Sequence, residues 1–281
     1  MADYDIQIGS FESLFSLEGK VAVVTGGSRG LGLSGAAGLL KAGCSKVYIT
    51  SRKAKACEEA CALLNKMDGL RPGAKAISVP ADSSTVKGIE GLVAEVSKTT
   101  DHVDILFANA GATWGAPFEQ HDDKAFSKVM DLNVKAVFFC AQKFQSLLTA
   151  KATKLNPSRV IATASVAGIG IGSTGANSTP AYSASKAAVA HLIRHLAVDL
   201  GPKHILCNAI APGFFPTKMA NGLMESLGGT ESLEKGNPAG RLGTPADIAG
   251  TLVYLCGRGA GHVNGALVQI DGGKVWARSE L

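Results

Sequence analysis

Short apolar runs alternate with helical patterns along almost the whole chain, and this alternation limits the folds open to it. The runs are four or five residues long and rich in Val and Ile, and strands are expected at Val21–Val24, Val47–Thr50, Ala76–Val79, Ile105–Ala108, Val160–Ala164, Leu206–Ile210 and Leu267–Ile270. Helical patterns separate them, near Leu31–Lys41, Ala54–Leu64, Val86–Lys98, Lys124–Ala150, Ala181–Leu200 and Pro245–Leu255. The sequence therefore predicts an α/β fold, a doubly wound parallel sheet of seven strands with helices on both faces.

Length and composition indicate one large domain. The 281 residues are 46% hydrophobic, and we expect a tail at 1–18 followed by a single domain at 19–281. No apolar run approaches the ~20 residues of a membrane span, and the net charge of +5 is dispersed, so neither a membrane nor a nucleic acid is an expected partner. The six Cys lie mostly in apolar segments, as buried free thiols do, and no signal peptide is recognisable, so a reducing, cytoplasmic location is expected.

A glycine-rich turn, TGGSRGLG at 25–32, joins the first expected strand to the first expected helix. Gly26 permits the tight turn, Gly30 lets the backbone approach a pyrophosphate, and Gly32 lets the helix pack on the strand. The helix N-terminus offers unpaired N–H groups to phosphates. The spacing is GxxxGxG rather than GxGxxG, so a plain glycine-rich turn is the alternative to a dinucleotide-binding loop. The expected cofactor-binding residues here are Gly26, Ser28, Arg29, Gly30, Leu31 and Gly32.

Tyr182 and Lys186 open a helical pattern and lie four positions apart. Residues four apart share a helix face, so the phenol can act as a proton donor and the ammonium can tune it. A nearby cation favours the phenolate and lowers the pKa of tyrosine from about 10 toward an operating range. The alternative is an ordinary aromatic residue and an ordinary surface lysine.

With further motifs in the same order, the chain resembles the short-chain dehydrogenase/reductase family, specifically its NADPH-dependent carbonyl and 3-oxoacyl reductases, over about residues 18–273. The glycine-rich turn is similar to the family's TGxxxGxG, and Tyr182 with Lys186 to its YxxxK. Asn109-Ala110-Gly111 is similar to the end of its NNAG, with Ala108 in place of the first Asn. Further matches are Leu132-Asn133-Val134, Ser165, Pro212-Gly213 with Thr217, Gly240–Pro245 with Asp247–Ala249, and Asp271–Gly273.

The resemblance implies a Rossmann-type fold and hydride transfer between a nicotinamide cofactor and a small-molecule carbonyl substrate. It implies that Tyr182 is the general acid, that Ser165 donates to the carbonyl oxygen, and that Lys186 lowers the tyrosine pKa and bonds the nicotinamide ribose. Asn133 would support a water that returns the proton through Lys186. Alternatively, Ser165 caps a turn, and Asn133 and Asp82 cap helices. Other residues implied to contact the cofactor are Ala81, Asp82, Asn109, Ala110, Gly111, Pro212, Gly213, Phe215 and Thr217.

The end of the second expected strand indicates which cofactor is used. NAD enzymes place a carboxylate there for the ribose hydroxyls, but this strand runs into Ser51-Arg52-Lys53. Ser51 and Arg52 can bind a 2′-phosphate, and Arg29 can close on it, because a guanidinium bonds phosphate bidentately. NADP (NADPH) is therefore the predicted cofactor, and a solvated basic helix start is the alternative.

Two irregular segments are expected to shape the substrate pocket. Ser165 and Tyr182 are 17 positions apart, a few more than the family leads one to expect, and the excess lies in the insert Gly170–Ser178. The stretch Phe214–Asn237 follows a strand's C-terminal end and is predicted to be a substrate lid, with a surface helical hairpin as the alternative. Its apolar residues favour a bulky or acyl-chain ketone; they are Met219, Leu223, Met224 and Leu227.

The predicted activity is NADPH-dependent reduction of a ketone or 3-oxoacyl carbonyl to a secondary alcohol. The alternatives are an NAD(P)-dependent alcohol dehydrogenase acting oxidatively and a non-catalytic NADP-binding scaffold. The two helical patterns Lys124–Ala150 and Ala181–Leu200 are apolar around much of their circumference, which predicts a homotetramer or homodimer. No metal site is expected, because the His and Cys pairs at helical spacing lack the companion residues of zinc motifs.

Overall fold

A single parallel sheet of seven strands forms the centre of the molecule, as predicted. The computed structural model describes residues 10–217 and 228–277. The strands are β1 Val21–Thr25, β2 Lys46–Thr50, β3 Lys75–Ser78, β4 Ile105–Ala108, β5 Ser158–Thr163, β6 Ile205–Pro212 and β7 Leu267–Ile270. Their order across the sheet is β3-β2-β1-β4-β5-β6-β7, and every pairing is parallel. Successive strands are added outward from β1 on one side and from β4 on the other, so the order of addition reverses between β1 and β4. Ligands bind at this position in doubly wound folds.

Helices cover both faces of this sheet. Their bounds are α1 Phe11–Phe15, α2 Gly30–Lys41, α3 Ala54–Leu64, α4 Val86–Ser97, α5 Asp123–Met130, α6 Ala136–Thr149, α7 Pro180–Leu200, α8 Gly229–Lys235 and α9 Pro245–Cys256. Neighbouring residues of a strand point to opposite faces, so Val23 packs in one core with α4, α6 and α7, while Val24 packs in another with α2, α3 and α9. Strands that are apolar at every position are thereby buried on both sides, which confirms the predicted fold class.

One predicted helix is divided. The pattern over Lys124–Ala150 was expected to form one helix, but α5 ends at Met130 and α6 begins at Ala136. A π-helical turn, Asp131–Lys135, lies between them and contains Asn133. Such a turn inserts one extra residue, and hydrophobic periodicity does not reveal it because the apolar stripe continues on either side.

The N-terminal segment includes an ordered stretch that packs on the domain. Within 1–18, where a tail was expected, residues 10–18 are described and contain the short helix α1. Leu17 is fully buried, and its amide donates to the carbonyl of Ala42, 2.8 Å away. The predicted division of the chain at residue 18 stays a prediction.

None of the described helices is both long and apolar enough to cross a membrane. All six cysteines are buried and unpaired with one another. The predicted lid falls partly outside the described residues, since 218–227 and the apolar residues Met219, Leu223, Met224 and Leu227 belong to that gap.

Candidate active site

The predicted site residues gather at one edge of the sheet. Because the strands are parallel, the segment that follows each strand emerges at the same, carboxyl-terminal edge. The segments after β1 to β6 begin at Gly26, Ser51, Val79, Asn109, Ala164 and Gly213. Sequence positions more than 150 apart are therefore brought to one crevice.

The turn after β1 requires glycine at two positions. Gly26 has φ +64°, a conformation that other residues rarely adopt. A Cβ on Gly32 would overlap the carbonyl oxygen of Gly26 and lie 2.6 Å from the Asn109 side-chain nitrogen. No side chain caps the start of α2, where Arg29 is the N-cap residue. The turn thus presents amide donors that no side chain caps, on a loop whose shape requires glycine, as a pyrophosphate site does.

Asn109 fastens three strand ends together. Its side-chain nitrogen donates to the carbonyl of Thr25 (3.1 Å), and its oxygen accepts from the hydroxyl of Thr163 (3.0 Å). The backbone amides of Asn109 and Ala110 both donate to Thr25 Oγ1 at 3.0 Å. The side chain of Asn109 therefore holds the glycine-rich turn in place, so a contact with the cofactor from this position would come from its backbone.

The segment after β2 supplies cationic and hydroxyl groups. Ser51 is half-buried, Arg52 is exposed, and the amide of Ala81 donates to the carbonyl of Ser51 over 3.1 Å. Burial opposes ionisation of Asp82, but hydrogen bonds from Ser84 and the charge of Arg52 outweigh it and lower its pKa. Asp82 is thus an anion close to Arg52, and it also organises the turn before α4 through Ser84 (2.7 and 3.0 Å).

Tyr182 and Lys186 share one face of α7 at the crevice. The ammonium nitrogen of Lys186 lies 5.5 Å from the centre of the Tyr182 ring and donates to the carbonyl of Thr163 at 2.6 Å. Burial lowers the pKa of Lys186 to about 8. Burial raises the pKa of Tyr182, and a hydrogen bond with Ser165 only partly offsets it. The net shift of the tyrosine pKa is therefore upward, opposite to the lowering expected from Lys186, whose ammonium is hydrogen-bonded to Thr163.

Ser165 lies directly beyond β5 and is almost fully buried. Its oxygen accepts a hydrogen bond of 3.2 Å from the amide of Ala167. This bond caps the short 3-10 turn Val166–Gly168. A serine hydroxyl that accepts in this way still has its hydrogen to donate. Both expected roles of Ser165, a turn cap and a donor beside Tyr182, are thus compatible in one geometry.

The side-chain amide of Asn133 uses both of its N–H groups and one acceptor position of its oxygen in bonds to protein groups. Its oxygen accepts from the amide of Ala112 (2.8 Å), and its nitrogen donates to the carbonyl of Ala112 (2.9 Å) and to Ser185 Oγ (2.9 Å). The hydroxyl of Ser185 in turn donates to the carbonyl of Tyr182 at 2.7 Å. Gly111 is packed between, since a Cβ there would lie 3.1 Å from Asn133 Oδ1 and 3.5 Å from Lys186 Nζ. The side chain of Asn133 thus ties the loop after β4 to the helix of Tyr182.

The segment after β6 returns toward the glycine-rich turn. The amide of Gly213 donates to the carbonyl of Ile270 (2.9 Å), and Thr217 Cγ2 lies 3.4 Å from the position of a Cβ on Gly30. Phe215 was expected to contact the cofactor, but its ring is buried against Gly243 in the core. Its aromatic side chain therefore packs within the protein.

Comparison with known proteins agrees with this geometry. A family model described as enoyl-(acyl carrier protein) reductase matches residues 26–274. The rhamnolipid-biosynthesis 3-oxoacyl-[acyl-carrier-protein] reductase of Pseudomonas aeruginosa is 39% identical over 259 residues, which are 92% of this chain and 97% of that protein. The chain belongs to the short-chain dehydrogenase/reductase family.

A solved structure and a second curated relative indicate the range of the proteins that this chain resembles. The solved Pseudomonas aeruginosa RhlG/NADP active-site complex has a TM-score of 0.86 and 38% identity, covering 94% of this chain and 99% of that one. The 2-dehydro-3-deoxy-D-gluconate 5-dehydrogenase of Escherichia coli K12 is 34% identical over 262 residues, 93% of this chain and 97% of that protein. Close relatives thus include proteins named for an acyl substrate and for a sugar acid.

Three polar residues that brace this short-chain dehydrogenase/reductase site were not assigned a role from sequence: Thr25, Thr163 and Ser185. Thr25 and Thr163 end neighbouring strands and meet at Asn109, while Ser185 joins Asn133 to α7. Sequence signals exist for two of them: Thr25 opens the glycine-rich motif, and Ser185 lies three positions after Tyr182 and so near its face of the helix. No cluster of His, Cys, Asp and Glu suited to a metal ion occurs among residues 10–217 and 228–277.

Proposed function

We propose that this chain is a reductase that uses NADPH to convert the ketone of a substrate with an apolar extension, of the 3-oxoacyl type, into a secondary alcohol. The chain is an NADP-dependent oxidoreductase acting on CH–OH and C=O groups. The observation that carries the proposal is the grouping of Ser165, Tyr182 and Lys186 at the sheet edge that also bears the glycine-rich turn.

The residues around the crevice suit a dinucleotide phosphate. The turn of Gly26 and Gly32 leaves room only for backbone, and the uncapped start of α2 offers amide donors. Arg52 and Ser51 follow β2 where an NAD enzyme has a carboxylate. We propose that these residues hold the pyrophosphate and the 2′-phosphate, with Arg29 closing on the latter, and that Asp82 lies beside the adenine.

The protein groups divide the remaining chemistry. A bound nicotinamide supplies the hydride to the carbonyl carbon. Tyr182, whose raised pKa keeps it protonated at neutral pH, gives its proton to the carbonyl oxygen, and Ser165 donates a hydrogen bond to the same atom. Lys186, held by Thr163, is the next group from which a proton can reach the phenolate, since its pKa of about 8 lies near neutral. Asn133 keeps the Ala112 loop against α7.

Exposed apolar side chains beside this site favour an acyl ketone. Trp114 is 45% exposed and Phe118 is 77% exposed in the loop after β4, and Ile171 is 87% exposed in the insert before α7. Large exposed apolar residues at a site commonly receive the apolar part of a ligand. The second candidate is a keto sugar acid, which the Escherichia coli relative favours. The polar insert residues support it; they include Ser173, Thr174 and Asn177.

We also propose a cytoplasmic homotetramer or homodimer. Six free cysteines suit a reducing compartment. Phe126 and Phe138, on α5 and α6, and Val198 on α7 stay exposed on the helices predicted to pair between copies. Sedimentation at micromolar concentration tests this, because a species of 28.8 kDa, the mass of one chain, would contradict it.

Oxidation of NADPH, followed by its absorbance, tests the proposed activity. The purified protein is given ethyl 3-oxooctanoate, ethyl 3-oxobutanoate, 5-keto-D-gluconate, or no ketone. Faster turnover of the longer ester supports the acyl class, and preference for the keto acid supports the second candidate. Tight NADPH binding without turnover of any ketone would instead favour a cofactor-binding scaffold.

A further inference from the structure

Two segments that flank the catalytic residues meet in one short contact outside the sheet. Residues 112–121 follow the loop of Asn109, and residues 170–179 lead into α7; together they are called the pocket wall here. The amide of Ala116 donates to the carbonyl of Ser178 at 3.1 Å, in an isolated antiparallel bridge. A Cβ on Gly115 would lie 3.2 Å from the carbonyl oxygen of Asn177, so the two backbones run close together.

His121 spans both halves of the pocket wall. Its Nε2 lies 3.0 Å from the carbonyl oxygen of Ala116 and 3.1 Å from that of Ser178. Both neighbours only accept hydrogen bonds, so Nε2 must carry a hydrogen, whether the ring is neutral or charged. One side chain thereby satisfies a carbonyl on each segment at the point where they meet.

The outer ends of the wall are fixed to the catalytic machinery. Ala112 is held by the amide of Asn133 through both its N–H and its carbonyl. The amide of Gly172 donates to Ser183 Oγ (3.2 Å), next to Tyr182 on α7. Both halves of the wall are therefore anchored next to Tyr182, so a shift at the centre of the wall is expected to change the space beside this residue.

We propose that His121 is a positioning residue that determines which ketones this protein accepts, by pinning the two halves of the pocket wall to each other. Trp114 and Phe118 belong to one half and Ile171 to the other, so the distance between these apolar side chains depends on the His121 contacts. This inference rests on the proposed reductase function. It assigns to a residue outside the catalytic set the selection of substrate.

Two variants separate the hydrogen bonds of His121 from the bulk of its ring. His121→Phe keeps a ring and removes the donor, whereas His121→Gln places an amide N–H near the position of Nε2. The control is His262→Phe, which changes an exposed histidine at the opposite, amino-terminal end of β7. Kinetics are measured on a panel of 3-oxo esters of increasing chain length and keto sugar acids, so a ranking exists whichever class is reduced.

We expect His121→Phe to raise the KM of the best substrate about tenfold, the usual effect of losing one or two hydrogen bonds, and to change the substrate ranking. Its kcat on the smallest ketone and its NADPH affinity should not change, and His121→Gln should restore the ranking. An unchanged ranking in His121→Phe would overturn the proposal. So would an equal loss with every ketone, which is what a general folding defect produces.

Hydrogen exchange tests the clamp without turnover. In His121→Phe, amides of 112–121 and 170–179 should exchange faster than in the wild type, while those of β1 and β4 stay protected. His121→Gln and His262→Phe should match the wild type. If the wall amides of His121→Phe exchange at the wild-type rate, His121 does not pin the two segments, even if the proposed substrate class proves correct.

Discussion

The two sides of the crevice are held by different means. On the cofactor side, Asn109, Thr25 and Thr163 connect the ends of β1, β4 and β5, so the glycine-rich turn is fixed by the sheet itself. On the substrate side, the two segments of the pocket wall are joined to each other by one backbone bridge and by His121, and neither segment pairs with the sheet. The proposed cofactor site is thus built into the fold, whereas the proposed determinant of substrate choice is a contact between loops, which can change without disturbing the sheet.

The largest expected effect is that of Tyr182→Phe, which should change the catalytic rate but not the binding of the cofactor. Tyr182→Phe should lower kcat by roughly 10²–10⁴-fold, because the proton donor is lost, and leave NADPH affinity nearly unchanged. Steady-state kinetics and fluorescence titration with NADPH measure the two quantities. Tyr254→Phe, a half-exposed tyrosine on α9, is the matched control. Activity of Tyr182→Phe within a few-fold of the wild type would remove Tyr182 from the mechanism.

A change on the cofactor side should affect one cofactor selectively. Arg52→Ala should raise the KM for NADPH roughly 10- to 150-fold and hardly alter that for NADH, since a charge-assisted phosphate contact is worth about 1.5–3 kcal/mol. The ranking of ketones should stay as in the wild type. Lys55→Ala, an exposed lysine in the first turn of α3, serves as control. Equal effects on both cofactors would mean that Arg52 does not meet the 2′-phosphate.

The glycine-rich turn should tolerate no added carbon. Gly32→Ala places a Cβ against the carbonyl of Gly26 and the side chain of Asn109, so we expect a loss of about 1–3 kcal/mol in unfolding free energy and weaker NADPH binding. Gly91→Ala on α4 meets nothing within 4 Å and should stabilise the protein by about 0.5–1 kcal/mol. Urea unfolding compares the pair. A Gly32→Ala protein as stable as Gly91→Ala would show that the turn can move apart.

The smallest predicted effect is a dependence of stability on pH at Lys186, where the two sides meet. Its pKa is about 8 in the folded protein against 10.5 ordinarily, so between these values the unfolded chain binds more protons and stability rises with pH. From about pH 7.5 to about pH 9.5, the wild type should gain about 1–2 kcal/mol relative to Lys186→Met.

Taking the difference between the two proteins removes the contributions of Tyr182 and of those cysteines whose pKa burial raises, which act in the opposite direction at high pH. Lys203→Met, an exposed lysine, should track the wild type at every pH. If the gap between the wild type and Lys186→Met is constant across this range, Lys186 does not change its protonation there.

Local sequence patterns were sufficient for the sheet, and they predicted the residues that the structure brings to one of its edges. The seven strands were predicted within one or two residues, because each is a short apolar run between a helix and a turn, and parallel pairing then places the loops after them at one edge. The glycine-rich turn and the pair Tyr182 and Lys186 are equally local, since a turn or one helix face brings their members together. The predicted roles of the site residues remain predictions to be tested by the variants above.

Features of the site that depend on residues distant in sequence were decided only by the tertiary structure. The π turn at Asn133 lies within an apolar pattern that does not break, and the amide of Asn133 bonds to Ala112 and Ser185, 21 and 52 positions away. The raised pKa of Tyr182 depends on burial by many elements at once, and local spacing suggested the opposite sign. The pairing of His121 with Ser178 has no sequence signal, because a side chain that donates to backbone carbonyls requires only that two loops meet, and where they meet is fixed by the packing of the whole chain.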